Sequence, residues 1–515
     1  MVKPVLEENI MVAMRDGIRL AVDVHRPRTT GKVPALLSMS PYGKERQRQP
    51  GGFIENKGQP YRGGIFRQVE AGDTGYFVSK GYAHVIADSR GSAPSEGQWG
   101  LMDQEEQQDG YELVEWIARQ PWSNGNVGMV GESYYAQIQY LVAATRPPHL
   151  KTIVPFDGWT DIYRDLVHQG GLFHQGFFAS WISIVCERIL PELGKKAPRK
   201  WRPAQNIIGD TVTSNPTDGP YYWERSSYTK FDRIKIPTYH IISPTHYLHY
   251  RGQLNAYTDI DTPKKLLVTG GMPWGVTYHP AFSKEVVRWL DYWLKGIDNG
   301  IMKEPPVTLF IQGSDEWRCE LEYPLKRTGW TKLYLHSGEK GGGQAPYGQL
   351  TKKAPAVEKP DSYDYPHTDG LVDANLPVVA YLTPPLEENM EIIGPASLTL
   401  YASSSANDTA WIVKIDDVAP DGKFKVAGKG WLKASHREVD EARSRMGQPF
   451  HTHMNPTPLR PKEVYKFEIE IWPIFRSFKA GHRLRLRIAS KDSRMWDIPN
   501  WHAVVEQVAH NTIYH

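Results

Sequence analysis

The stretch VGMVGESYYA, residues 127–136, decides the fold of this chain. The run from Val127 to Gly131 is short and apolar, as in a buried strand, and the run from Tyr134 to Ala144 is compatible with a helix. Between them, Ser133 ends a G-x-S turn, the arrangement called a nucleophile elbow. A hydroxyl on such a strained turn stands clear of its backbone, and the N–H of Tyr134 points to the place where negative charge on an oxygen would develop.

An ordinary buried turn is the alternative explanation for a serine at this place. The strand before Ser133 and the helix after it favour the elbow, because a chance G-x-S match lacks that context. One departure from the usual pattern is Ala136, which stands where a closing glycine is expected. The sequence therefore predicts a nucleophilic serine, followed by a methyl group that must fit against a neighbouring strand.

Strand and helix patterns alternate on both sides of this turn. They predict a doubly wound α/β sheet of the α/β-hydrolase type, formed by residues 1–156 and 236–303. Residues 157–235 interrupt the alternation with aromatic-rich helical stretches such as Leu172 to Leu190, and we predict a helical cap there. The predicted strands include Ile18 to His25, Val33 to Ser40, Ala83 to Ala87, Thr238 to Ile242 and Leu266 to Val268, and the predicted helices include Asp103 to Arg119 and Ser283 to Lys295.

The pattern changes after Pro305. Short alternating segments are separated by Gly, Pro and Asp turns, which is typical of an all-β sandwich. We therefore predict a jelly-roll β-sandwich domain over residues 304–515. Its predicted strands are Val307 to Ile311, Lys332 to Leu335, Ser397 to Ala402, Trp411 to Asp416, Tyr465 to Ile471 and Arg483 to Ile488.

The composition argues against several classes of function. Lys and Arg number 61 and Asp and Glu number 58, and the basic residues are scattered, so no field for nucleic acid or anionic lipid is evident. No apolar run approaches the roughly 20 residues of a membrane span, and the N-terminal stretch lacks a signal-type apolar core. We therefore expect a cytoplasmic protein that binds neither nucleic acid nor a membrane.

Cysteine and histidine spacing predicts neither a disulfide nor a metal site. Cys186 and Cys319 lie far apart in the chain. His451 and His453 could face one side of a strand, but no third ligand accompanies them and surface histidines are commoner. We expect no metal and no cofactor. The sequence leaves the oligomeric state open, although a β-sandwich offers surfaces on which a homodimer could form.

Two sets of motifs carry a family resemblance. The catalytic half contains MRDGIRLAVDVHRP, SPYGK, IADSRGSAPSEG, QPWSNGNVGMVGESY and RWLDYWLKGIDNG, and the C-terminal half contains DTAWIVKIDDVAPDG, ASHR and EIEIWPIFRSFKAGHRLRLRI. On these motifs the chain resembles the cocaine esterase and X-prolyl dipeptidyl-peptidase family of serine hydrolases. The resemblance implies a hydrolase domain, a helical cap and a jelly roll that walls one side of the site. It also implies that the hydroxyl of Tyr42, in SPYGK, stabilises a tetrahedral oxyanion together with the N–H of Tyr134.

The acid and the histidine of a serine triad are displaced from the family pattern. A serine needs an imidazole to take its proton and a carboxylate to orient that imidazole. The resemblance puts the acid in the loop that here reads TYHIISPTHYLHYRG. Aligning this loop on His240 places His246 at the acid position, and aligning it on Arg251-Gly252 shifts the match by a residue or two. With either alignment, no Asp or Glu occurs from 238 to 258. The family histidine belongs in the loop GGMPWGVTYHP, where Val276 stands at its position and His279 is the nearest histidine.

His279 is the leading candidate for the base, with plain solvent exposure as the alternative explanation for it, and His246 and His249 are the other candidates. Each alternative is more often a satisfied loop or core histidine than a catalyst. The carboxylates nearby are expected to have structural rather than catalytic roles. Asp157 and Asp161, in FDGWTDIYRD, are expected to fix the chain direction at the entry to the cap. Asp259 and Asp261 are expected to serve turns.

Two enzymatic functions follow from these residues. In the first, the chain hydrolyses an ester or amide of a small apolar substrate with Ser133, a displaced His279, and Tyr42 and Tyr134 as oxyanion donors. In the second, the triad is degenerate and the same pocket catalyses a proton transfer, elimination or cyclisation with His246 or His279 as acid or base. A catalytically inactive binding module is the third possibility. Five aromatic residues are candidates for binding a small-molecule substrate: Trp159, Phe173, Phe177, Trp181 and Trp274.

Overall fold

The architecture is given by a computed structural model of the chain. It describes residues 4–48, 70–92, 94–186, 200–244, 247–270, 280–339, 347–365, 379–493, 497, 499–503 and 508–515. Among these residues, no helix combines the length and the apolar composition that crossing a bilayer requires.

A ten-stranded sheet forms the centre of the N-terminal half. Its strands run in the order β1-β2-β4-β3-β5-β6-β9-β10-β11-β12, and those from β4 to β11 are parallel to their neighbours in that order. The carboxyl ends of these strands therefore meet at one edge, where open α/β sheets bind ligands. The strands are β1 (Val5–Ala13), β2 (Arg19–Arg26), β3 (Val33–Ser40), β4 (Ala83–Asp88), β5 (Ser123–Glu132), β6 (Leu150–Phe156), β9 (Thr238–Ile242), β10 (Lys264–Val268), β11 (Val307–Ile311) and β12 (Glu316–Glu320).

Helices cover both faces of this sheet, which confirms the predicted doubly wound α/β fold. Alternate strand residues point to opposite faces, so Met129 packs in the cluster that contains α2 and α3, and Val130 packs in the cluster that contains α1 and α7. The helices are α1 (Thr74–Ser79), α2 (Gln104–Ala118), α3 (Tyr134–Thr145), α4 (Ser180–Ile184), α5 (Pro220–Arg225), α6 (Tyr250–Asp259) and α7 (Pro280–Lys295).

One predicted strand belongs to a different sheet. We expected Val307–Ile311 to open the β-sandwich, but as β11 it pairs in parallel with β10, and β12 pairs with β11 in turn. The expectation was wrong because every second residue of β11 is fully buried, an alternation that also fits a strand near the edge of a central sheet. The central sheet thus continues to Glu320.

The segment between β6 and β9, residues 157–237, is called the cap below, and its described part consists of short helical turns and one hairpin. The predicted helical stretch begins with the hairpin of β7 (His168–Gln169) and β8 (Leu172–Phe173) and becomes helical from Gln175. Further turns are Ile162–Val167, α5 and Tyr228–Arg233. These elements pack their aromatic side chains into the same core as α2 and α3.

Two sheets form the C-terminal β-sandwich. Their orders are β13-β14-β16-β21-β18-β19 and β15-β22-β17-β20, and apolar residues from both fill the space between them. Arg164 of the cap donates to the carbonyl oxygen of His451 at 2.8 Å, which fixes the sandwich against the cap. The strands are β13 (Tyr334–Glu339), β14 (Tyr347–Thr351), β15 (Asp361–Tyr365), β16 (Val379–Leu382), β17 (Met390–Ser404), β18 (Ala410–Val418), β19 (Phe424–Lys433), β20 (Tyr465–Phe478), β21 (Arg483–Ala489) and β22 (Ala509–Tyr514).

Candidate active site

Ser133 lies on the turn between β5 and α3, at the carboxyl edge of the central sheet. Its backbone has φ 61° and ψ −118°, a strained conformation for a residue with a side chain. The N–H of Ser133 is shared between the carbonyl oxygens of Phe156 at 3.0 Å and Asp157 at 3.2 Å. The turn is therefore held against the end of the neighbouring strand β6.

Two glycines make room for this turn. Gly131 has φ 132°, and a Cβ there would lie 2.5 Å from the Cβ of Tyr135. Ala136 is tolerated at the usual glycine position because Gly158 faces it, and a Cβ at Gly158 would lie 2.8 Å from the Cβ of Ala136. The glycine of the usual pattern is thus replaced by one on the opposing segment.

Tyr42 is positioned as a hydrogen-bond donor beside the serine. The indole N–H of Trp181 donates to the Tyr42 hydroxyl at 3.0 Å. Since an indole only donates, the phenol accepts this bond and keeps its own proton for another acceptor. Burial raises the pKa of Tyr42 well above its ordinary value, and hydrogen bonds with Trp181 and the Ser133 side chain lower it only in part. Tyr42 is therefore a neutral donor in contact with the nucleophile.

Tyr134 contributes its backbone to the site while its side chain anchors the helix start. Its N–H is the first of α3 and has no carbonyl one turn earlier to bind. Its hydroxyl donates to Glu106 at 2.8 Å and accepts from the indole of Trp99 at 3.0 Å. Burial raises the pKa of Glu106 to about 7, although several hydrogen bonds oppose the shift. The anchored ring fixes the direction of the Tyr134 N–H.

Three of the aromatic candidates form one cluster next to Tyr42. The ring of Trp181 lies 6.0 Å from Trp159, 6.1 Å from Phe177 and 6.3 Å from Tyr134. All of these rings are buried in the core cluster that includes the cap. The side of the site toward the cap is therefore apolar and aromatic.

Phe173 makes a different set of contacts from these three. Its ring packs on Phe178 at 6.0 Å and on His168 at 5.6 Å, and its carbonyl oxygen accepts the N–H of Ala503 from the sandwich. This places it on the boundary between the cap and the sandwich. Its predicted part in substrate binding stays a prediction. Three other candidates, His246, Trp274 and His279, lie outside the described residues.

Asp157 lies beside Ser133 at the end of β6, a placement that the sequence did not reveal. It follows β6 with φ 44°, and its side chain is fully buried. Its N–H donates to Ile241 at 2.9 Å, and its Oδ1 accepts the N–H of Ser243 at 2.6 Å. Burial raises the pKa of the Asp157 carboxyl well above its ordinary value. The one signal in the sequence is an Asp-Gly pair directly after a buried strand.

The neighbouring carboxylate, Asp161, has the structural role that we expected for both. It accepts the N–H of Arg164 at 3.0 Å at the start of a helical turn and pairs with the guanidinium of the same residue at 2.9 Å. Asp259 also has a structural role, since it forms an ion pair with Arg445 of the sandwich at 2.5 Å.

Two described histidines lie near the loop that follows β9. His240 contacts the hydroxyls of Tyr140 at 2.7 Å and Thr238 at 2.8 Å, and burial lowers its pKa to about 3. These contacts commit both of its ring nitrogens. His249 is buried and stacks on Trp159 at 5.4 Å, so it lies at the edge of the aromatic cluster.

The histidine pair of the sandwich is buried rather than exposed. His451 contacts the carbonyl oxygens of Glu438 and Glu468, and His453 lies 3.2 Å from His436 between ring nitrogens. The expectation of surface histidines was wrong because the cap covers this part of the sandwich. Within the described ranges, no three His, Cys, Asp or Glu side chains come together as a metal site.

A small, mostly apolar cavity of about 30 Å³ lies behind the elbow. Val130, Gly131, Phe156 and Ile241 line it from the strand ends, and Phe77 and Val286 line it from α1 and α7. It is therefore on the face of the sheet opposite to α2 and α3.

Two protein-family models match the chain. The model of the X-Pro dipeptidyl-peptidase (S15 family) matches residues 16–274, and the model of the X-Pro dipeptidyl-peptidase C-terminal non-catalytic domain matches residues 299–515. The first match contains the elbow, Tyr42 and Asp157. The second begins before β11, so it includes the last two strands of the central sheet.

Known proteins resemble the chain over almost its full length. The cocaine esterase of Rhodococcus sp. (strain MB1 Bresler) is 27% identical over 95% of this chain and 91% of its own. An Xaa-Pro dipeptidyl-peptidase of Ligilactobacillus salivarius is 23% identical over 82% of this chain and 60% of its own. The crystal structure of a CocE/NonD family hydrolase from Staphylococcus aureus superposes with a TM-score of 0.84 at 25% identity, over 99% of this chain and 92% of its own. The chain therefore belongs to the X-Pro dipeptidyl-peptidase (S15) family of hydrolases, which includes proteins of the CocE/NonD type.

Proposed function

We propose that the chain hydrolyses an ester or amide of a small, apolar substrate through Ser133. The observation that carries this proposal is the contact between the strained Ser133 and the neutral hydroxyl of the partly buried Tyr42. A strained serine beside preorganised donors is the arrangement that acyl transfer requires. The family to which the chain belongs supports the same reaction class.

The reaction proceeds through an acyl-enzyme. The oxygen of Ser133 attacks the substrate carbonyl while a histidine takes the hydroxyl proton, and the oxyanion is held by Tyr42 and the N–H of Tyr134. Collapse of this intermediate expels the alcohol or amine, which receives the proton from the histidine. Water then hydrolyses the acyl-enzyme by the same steps. His279 is the histidine that the sequence favours for this role.

The aromatic cluster supports an apolar substrate. Trp159, Phe177 and Trp181 offer large apolar surfaces on the side of the cap, and such surfaces favour aromatic or aliphatic groups. The relatives named for a cocaine esterase and an Xaa-Pro dipeptidyl-peptidase act on an ester and a peptide according to those names. A simple aryl ester is therefore a suitable first substrate.

A fluorophosphonate probe tests the proposal directly. We expect it to label Ser133 in the wild type, and Ser133→Ala to abolish labelling and to reduce ester turnover by about 10⁶-fold, the loss seen when a triad serine is removed. His279→Ala should cause a loss of similar size; retained activity would remove that histidine from the mechanism. Absence of labelling in a correctly folded wild type would overturn hydrolysis.

The same variants distinguish the non-hydrolytic alternative. If the pocket catalyses a proton transfer, elimination or cyclisation, Tyr42→Phe should harm the native reaction far more than Ser133→Ala, because the phenol polarises the carbonyl and the serine forms no bond. Equal losses in the two variants would argue against this alternative.

A further inference from the structure

The loop after β9 offers no carboxylate to a triad. Ser243 follows β9 directly, and no Asp or Glu occurs from 238 to 258. β6 is the neighbour of β9 in the sheet, with Phe156 opposite Ile241. A side chain that leaves the end of β6 therefore reaches the place where the loop after β9 begins.

Asp157 reaches this place and is held there firmly. Its Oδ1 accepts the N–H of Ser243 at 2.6 Å. The side chain of Gln253, on α6, binds the backbone on both sides of Asp157. Its amide oxygen accepts the N–H of Gly158 at 2.8 Å, and its amide nitrogen donates to the carbonyl oxygen of Pro155 at 2.7 Å. The carboxylate is thus anchored at the start of the loop in which the resemblance places the acid.

The second oxygen of this carboxylate is open. Oδ2 of Asp157 is buried and makes no hydrogen bond to any residue in the part of the chain that the structure describes. A buried carboxylate oxygen without a donor is costly and calls for an explanation. The φ of 44° adds backbone strain, which clusters at active sites. One anchored oxygen and one open oxygen suit a carboxylate that receives an imidazole N–H.

We infer that Asp157 is the carboxylate that orients the histidine acting on Ser133, in place of the acid that is missing after β9. This inference rests on the proposed function. The backbone of Asp157 also touches the nucleophile, since its carbonyl oxygen accepts the N–H of Ser133 at 3.2 Å. The open Oδ2 accepts the Nδ1–H of the histidine, and Nε2 of that histidine takes the serine proton and later gives it to the leaving group. The serine proton stays on the histidine and does not pass on to Asp157.

The raised pKa of Asp157 is consistent with a partner that becomes charged during the reaction. Burial raises this pKa, and the N–H of Ser243 offsets it only in part. An imidazolium at Oδ2 lowers it again, because an opposite charge favours the ionised carboxylate. The two charges therefore stabilise each other when the serine proton moves.

The test compares the labelling rate of full-length variants with a fluorophosphonate probe. Asp157→Asn keeps an oxygen for the N–H of Ser243 but presents an amide donor at the open position, which selects the wrong histidine tautomer. We expect labelling and kcat for an aryl ester to fall by about 10³ to 10⁴-fold with KM nearly unchanged. Asp157→Glu should restore part of the rate because it keeps the ionisable group.

Asp161→Asn is the matched control. Asp161 lies on the same connection but pairs with Arg164, so its variant should label at close to the wild-type rate. The melting temperature separates a structural role from a positioning role. Asp157→Asn keeps the anchoring hydrogen bond and removes a buried carboxylate, so we expect its melting temperature to be unchanged or higher. A structural carboxylate would show the opposite combination, a lower melting temperature with normal kcat.

Double variants identify the histidine that Asp157 orients. His246, His249 and His279 are each replaced by alanine in the wild type and in Asp157→Asn. The oriented histidine should show little further loss in the second background, because the two residues act as a unit. In Asp157→Asn, the pKa of the base in the pH profile of kcat/KM should fall by about one to three units, since no carboxylate favours the imidazolium.

Each outcome decides one of the two claims. Slower labelling in Asp157→Asn but not in Asp161→Asn supports the assignment of Asp157. Equal labelling of Asp157→Asn and the wild type overturns that assignment and leaves hydrolysis by Ser133 in place. If the folded wild type is not labelled at all, the proposed function fails and the assignment fails with it.

Discussion

The ends of β5 and β6 are neighbours, and each is accompanied by a buried carboxylate, but the two carboxylates are paired to different extents. At the β5 end, Glu106 accepts hydrogen bonds from Ser89 at 2.6 Å, Tyr134 at 2.8 Å and Met102 at 2.8 Å. At the β6 end, the side chain of Asp157 accepts one bond from the described residues, that of the Ser243 N–H. Both strand ends also carry a non-glycine residue at positive φ, Ser133 and Asp157.

The two carboxylates therefore differ in their capacity to bind a further hydrogen-bond donor. A carboxylate whose oxygens are all occupied can only hold its donors in place, and Glu106 holds the ring of Tyr134. A carboxylate with one occupied oxygen can still bind something else. The pKa values agree, since burial raises the pKa of Glu106 to about 7, whereas that of Asp157 rises well above its ordinary value with less opposition from hydrogen bonds.

Of the three variants that follow, Tyr42→Phe, which changes a donor beside Ser133, should have the largest effect. Removing the phenol deletes one of two oxyanion donors, so we expect kcat to fall by about 10² to 10³-fold with little change in KM. Steady-state kinetics with an aryl ester measures this. Tyr140→Phe is the control, because Tyr140 is a buried tyrosine of α3 whose hydroxyl bonds to His240. A similar fall in both variants would mean that general packing, not the oxyanion, accounts for the loss.

Glu106→Gln tests whether the fully paired carboxylate behaves as a titrating structural group. The folded protein holds this proton up to about pH 7, whereas an unfolded chain releases it near 4.5. Stability is therefore lost as pH rises from about 4.5 to 7, and the variant escapes this loss. The free energy of unfolding of the wild type relative to the variant should fall across that range by up to roughly 3 kcal/mol. Urea titrations at several pH values measure it, and a flat difference would contradict the prediction.

Gly158→Ala should have the smallest of the three effects. It changes the packing between the segments that follow β5 and β6. The new methyl would lie 2.8 Å from the Cβ of Ala136, so we expect a destabilisation of about 2 kcal/mol from overpacking. Ala136→Gly in the same chain should recover most of it. The double-mutant cycle, followed by thermal unfolding, measures the coupling. Independent, additive effects would show that the two positions do not share this space.

The features that were predicted from the sequence are local ones. The elbow is a motif of three residues between a strand and a helix, and most strands were found because their apolar patterns lie within single segments. β9 was predicted with its observed bounds, Thr238–Ile242. The doubly wound fold follows from such segments, because their order along the chain limits how they pair.

The features that were missed depend on pairing between distant segments. The side chain of Asp157 is held by the N–H of Ser243, which is 86 residues away in the chain. Neither segment alone contains a pattern that predicts this contact. Ala136 departs from the usual glycine pattern, and the sequence did not reveal why it is tolerated. The space for its methyl group comes from Gly158, which follows the neighbouring strand β6. β11 was assigned to the wrong sheet because its pattern fits both. The parts of His246, His279 and Trp274 stay predictions.

The continuation of the central sheet into β11 and β12 limits how the chain can be divided. A fragment that stops at residue 303 would leave β10 as an edge, with the backbone groups that pair with Val307 and Leu309 exposed to solvent. Unpaired parallel edges with apolar residues invite association with other chains. Expression of the catalytic half alone should therefore end after Glu320, or the product is expected to aggregate.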